Sequence, residues 1–104
     1  MITRAALCAC LALCAVAPAH AQTWAEQKCA LYERALSDAL RLWGDDGISA
    51  EFLEGNAGFI AQGCTERGQI CPASPQERAL ADRLTMMTMN EGMASTFVPF
   101  ACPR

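Results

Sequence analysis

Beyond residue 22 the apolar positions recur at helical spacing, and three segments carry the pattern. In the first, Ala25, Cys29, Tyr32, Leu36, Ala39 and Trp43 follow at intervals of four and three, which places them on one helix face. Glu33, Arg34, Asp38 and Arg41 fall elsewhere and are left to water. Thr23, with Glu26 three residues on, forms a capping box at the start. Gly44 is the natural stop and Asp45-Asp46-Gly47 a turn.

The second segment starts at Ser49, with Ile48 and Leu53 spaced as a hydrophobic staple around it. Phe52, Asn56, Phe59, Ile60 and Gly63 recur on one side. Gly55 and Gly58 each weaken a helix by about 1 kcal/mol relative to Ala, and we read them as room for a neighbouring helix. The third segment has the best-marked start in the chain: Ser74 as cap, Pro75 at the first helical position, Glu77 closing the box. It runs through Leu80, Leu84 and Met87 towards Phe97, reading through Asn90-Glu91-Gly92, and Pro99 ends it at the latest. Cys64 to Pro72 is a loop, and Phe100-Ala101-Cys102 a tail that must be tied down. No stretch alternates apolar and polar residues over strand length, so the expected fold is all-α, a small bundle of three to four helices.

The residues before the first helix read differently. Arg4 supplies a positive start, Ala5 to Val16 is an unbroken apolar run too short to span a bilayer, and Ala19-His20-Ala21 is a small-x-small cleavage pattern after Pro18. Residues 1–21 are expected to be a secretory signal peptide and 22–104 a single helical domain. Cleavage changes the accounting. It removes Cys8, Cys10, Cys14, Arg4 and His20, the only histidine, leaving 83 residues with seven basic against eleven acidic side chains. That net negative charge speaks against nucleic acid and anionic membrane surfaces as partners. Lysine occurs only as Lys28 among several arginines in an alanine-rich chain, usage that points to a bacterial source.

So short a chain has a thin core and needs staples. The remaining cysteines, Cys29, Cys64, Cys71 and Cys102, are even in number, as expected of two disulfides in an oxidising compartment, periplasmic or extracellular. Four cysteines allow three connectivities. If the third helix is continuous from Pro75 to Phe97 it is about 33 Å long, and its tail can retrace only about 16 Å. Cys102 then reaches Cys29 but not Cys71, which favours Cys29–Cys102 with Cys64–Cys71. The alternative, Cys29–Cys64 with Cys71–Cys102, requires the chain to turn back near Gly92.

Chemistry is sparse. Without histidine the usual general base, metal ligand and nucleophile pairs are missing. Asp45-Asp46-Gly47 with Glu51 lacks the spaced ligands of a calcium loop. There is no Cys-x-x-Cys for zinc or thiol redox chemistry. No catalytic residue and no cofactor are expected. Met86, Met89 and Met93 at i, i+3 and i+7 would share a helix face. Such a face is core filler or a plastic binding surface; as soft thioethers the three are also alternative Cu(I) ligands. Trp43 is expected in the core and Trp24 at the surface, where tryptophan anchors interfaces. The expectation is a non-catalytic exported module that binds another exported protein, as an inhibitor, immunity-type factor, chaperone or accessory subunit would, through Trp24, Met86, Met89 and Met93. The alternative is a Met-rich Cu(I)-binding protein.

Overall fold

The computed structural model describes residues 21–104, and the leader expected over residues 1–21 lies, but for Ala21, outside them. Three helices follow in order: α1 (Trp24–Trp43), α2 (Ala50–Ala61) and α3 (Pro75–Asn90). Each begins where its cap residue stands. The Thr23 hydroxyl accepts the Glu26 N–H at 3.1 Å, the Ser49 hydroxyl that of Phe52 at 3.0 Å, and the Ser74 hydroxyl that of Glu77 at 2.9 Å. Among the described residues no strand forms. A single parallel bridge joins Ile70 to Phe100, with Ile70 N–H donating to Pro99 O and Ala101 N–H to Ile70 O.

The core is aromatic at its centre. Tyr32 of α1 meets Phe59 of α2 edge to face at 5.2 Å, and Phe97 from the tail closes on both. Ala35 and Ala39 of α1, Phe52 of α2, Leu80 and Leu84 of α3, and Ile70 and Val98 from the loop and tail complete it. The α1 stripe thus holds through its middle, while Ala25 and Trp43 at its two ends stand in solvent. At the Ala25 end length explains this: α1 has 20 residues against 12 in α2 and 16 in α3, about 30 Å of helix against about 18 and 24 Å. Trp43 instead lies beside the first half of α3, at the rim of a surface cleft.

Two glycines end two helices by the same device. After α2, Gly63 N–H donates to Ile60 O and Cys64 N–H to Phe59 O; after α3, Gly92 N–H donates to Met89 O and Met93 N–H to Thr88 O. Both are Schellman motifs, with Gly63 at φ +82° and Gly92 at φ +92°. Each buries the apolar residue after the glycine, Cys64 in one case and Met93 in the other.

The stop at Gly92 corrects the expectation of a third helix running to Phe97, and with it the favoured disulfide pattern. α3 is about 24 Å long, and the residues from Glu91 onward turn back along it. Cys102 returns to the loop before α3, and the pairs are Cys29–Cys64 and Cys71–Cys102 rather than Cys29–Cys102 and Cys64–Cys71. Gly55 is also corrected in part. A Cβ there would lie 3.0 Å from Ile70 Cγ1, so the close neighbour is the 64–72 loop and not a helix, while Gly58 faces open space.

Candidate interaction surface

The buried polar groups serve the frame. Glu77 is the only buried carboxylate among the described residues. Its Oε1 accepts from the Ala73 and Ser74 N–H groups at 2.9 and 3.3 Å; its Oε2 accepts from the Ser49 N–H and hydroxyl at 2.9 and 2.7 Å. One side chain thereby closes the capping box of α3 and clamps the N-terminus of α2 beside it. These donors, led by Ser49, hold its pKa down to about 2 against an ordinary 4.5. Ser74 adds a third tie, donating to Gly47 O at 2.6 Å. The local pattern Ser74…Glu77 predicts the box but not the second helix, because Ser49 is 28 residues away.

Tyr32 and Asn56 form the other buried pair. The phenol donates to Asn56 Oδ1, and Asn56 Nδ2 donates to Phe52 O at 2.9 Å. Burial pushes the phenol well above its ordinary range, so it stays protonated. Neither Glu77 nor Tyr32 is left with an unmet polar atom to offer a substrate. Among the described residues no three His, Cys, Asp or Glu side chains gather as a metal site, and no helix is long and apolar enough to cross a membrane.

The residues expected to make contact fall in three places. Met86 and Met89 face solvent on α3, 64% and 50% exposed, while Met93 is 5% exposed in the turn beyond the helix. The helix that would give Met86, Met89 and Met93 a shared face ends at Asn90, so helical spacing does not carry that face on to Met93. Trp24 is 49% exposed at the start of α1, about 28 Å of helix from Trp43 at the other end.

Trp43 is the residue the sequence placed in the core and the structure puts at the surface, also 49% exposed. The Arg83 guanidinium lies 4.3 Å over its ring, a cation–π contact that orients both. Arg83, Met86 and Met89 stand three residues apart along α3, the spacing of neighbours on a helix surface. A shallow cleft of about 270 Å³ runs from Trp43 and Arg83 towards the start of α3, lined also by Asp46, Ile48, Gln76 and Ala79. The signal available for Trp43 was its place in the last turn before Gly44; its ring lies beside α3 at the rim of the cleft and not beneath it. The position of Arg83 needed the antiparallel packing of α1 on α3. No family model, curated protein or solved structure matches the chain.

Proposed function

We infer that this chain is a non-catalytic, exported protein-interaction module that docks through the Trp43–Arg83–Met86–Met89 surface. One observation carries the reading: tryptophan and methionine, residue types enriched where proteins meet, are exposed as Trp43, Met86 and Met89, and arginine, a third such type, lies half-buried against the Trp43 ring as Arg83. The commitment of Glu77 and Tyr32 to the frame supports a binding role over a catalytic one. Export is supported by the leader pattern over residues 1–21 and by two disulfides in so small a chain. The bacterial source suggested by composition makes a periplasmic or extracellular protein the partner class.

The test is cross-linking capture from the native envelope, run in parallel with wild type and a Trp43→Ser/Met86→Asp variant whose helical circular dichroism is unchanged. The reading expects a discrete partner held by wild type and lost from the variant. Identical capture by both, or none by either, removes it.

A further inference from the structure

We propose that Cys71–Cys102 is a thiol–disulfide exchange site, and that its reduction by a dithiol releases the C-terminal tail as a strap while Cys29–Cys64 keeps the helices together. The two disulfides differ in surroundings. Cys64 is buried in the core and Cys29 half-buried on α1. Cys71 and Cys102 are both exposed. Open clefts flank the second disulfide on both sides: one of about 440 Å³ lined by Pro72, Arg78, Asp82, Ser95 and Cys102, another of about 490 Å³ lined by Gln69, Cys71 and Pro103. An incoming thiolate needs a line of approach to one sulfur, and only the exposed pair offers one without opening the core. The first cleft carries both a guanidinium, Arg78, and a carboxylate, Asp82, so access and not local charge distinguishes the site.

The exchange balances as follows. A thiolate of the dithiol attacks one cysteine sulfur; the S–S bond breaks and its electron pair leaves on the other sulfur, which takes up a proton. The second thiol of the reagent then resolves the mixed disulfide. The protein gains two thiols and the reagent becomes a cyclic disulfide. What the bond holds down is specific. Phe97, Val98 and Pro99 seat the start of the tail in the core; beyond them Phe100 stacks on Phe52 at 5.6 Å with the rings 4° from parallel, and the backbone is pinned to the loop by the two hydrogen bonds at Ile70. Phe52 is 2% exposed beneath it. Releasing the strap uncovers Phe52, Ile70 and Phe100, an apolar seat on the side of α2 next to the loop. α1 and α2 remain joined by Cys29–Cys64, and α2 and α3 by Glu77.

The experiment uses the protein with both disulfides formed, exposed to stepped dithiothreitol, quenched with N-ethylmaleimide and mapped by mass. Cys71 and Cys102 should label at least about tenfold faster than Cys29 and Cys64, because a buried bond exchanges only through openings of the surrounding structure. The singly reduced species should keep its far-UV helical signal and gain binding of an apolar dye. Labelling of all four cysteines together, or of Cys29 and Cys64 first, overturns the exchange site. Selective labelling without a gain in dye binding overturns the strap.

Discussion

Cys29–Cys64 ties α1 to the end of α2 inside the core, whereas Cys71–Cys102 ties the tail to the loop before α3 at the surface. The sequence separations are 35 and 31 residues, and closure entropy for such loops is nearly the same, about 4 kcal/mol each. A staple's effect on the unfolded chain therefore cannot separate the two regions. What separates them is the folded side. The helical frame holds Tyr32, Asn56 and Glu77 by hydrogen bonds made without the tail. The tail, after Gly92, contributes Phe97, Val98 and Phe100 to the same core through ring contacts and apolar packing.

The largest effect should come from breaking this comparison at the sulfurs. Cys29→Ser/Cys64→Ser loses the closure term and also places a hydroxyl at the buried 64 position, which costs about 1–3 kcal/mol more if unpaired. Cys71→Ser/Cys102→Ser loses the closure term alone, because both positions are exposed. In urea melts the first variant should be the less stable by about 1–3 kcal/mol. Equal midpoints would mean that loop closure alone governs both regions.

Next in size is Glu77→Gln, which tests whether the frame depends on one carboxylate for two helix starts. Hydrogen bonds to a charged group contribute about 1.5–3 kcal/mol, and an amide turns one acceptor oxygen into a donor facing other donors. The pH dependence is distinctive. The folded pKa, about 2, lies below the ordinary 4.5, so between these values the unfolded chain binds more protons and stability rises with pH. The contribution is complete above about pH 4.5 and is lost as pH falls towards 2. Thermal midpoints of wild type should fall across that window more steeply than those of Glu77→Gln; parallel curves would remove Glu77 from this role.

Much of the frame was legible because its signals are local. Thr23, Ser49 and Ser74 announce their helices through side chain to backbone bonds three residues long. Tyr32, Phe52, Phe59, Leu80 and Leu84 carry the spacing that turns a face inward. The tail was misread at one residue. Asn90-Glu91-Gly92 sits among good helix formers, and whether a glycine there ends or merely weakens a helix depends on whether Met93 gains a buried site, which only the assembled core supplies. The disulfide pattern and the Met86/Met89/Met93 face both inherited that reading. Trp43 was hidden for another reason, since periodicity reports a face and not whether that face meets the core or the rim of a cleft beside α3.

Within the frame, Tyr32→Phe isolates one buried bond. It keeps the ring contacts with Phe59 and Phe97 and strands Asn56 Oδ1. The expected loss is about 1–2 kcal/mol by chemical denaturation, with the double variant Tyr32→Phe/Asn56→Leu less destabilised than the sum of its parts. Strict additivity would mean that the phenol and amide are not coupled.

The smallest effect probes where the frame hands over to the tail. Gly92 has φ +92° with nothing within 4 Å of a would-be Cβ, so Gly92→Ala adds no clash and its cost is conformational, about 1 kcal/mol. That cost should depend on the other end of the tail. With Cys71–Cys102 intact, the segment from Gly92 to Cys102 is fixed at both ends, and alanine must adopt the left-handed turn. In the Cys71→Ser/Cys102→Ser background the tail can leave its seat and relieve the turn, so the same substitution should cost less. A double-mutant cycle reads the coupling directly. If Gly92→Ala costs the same in both backgrounds, the Schellman turn belongs to α3 alone and the tail stays seated without its disulfide.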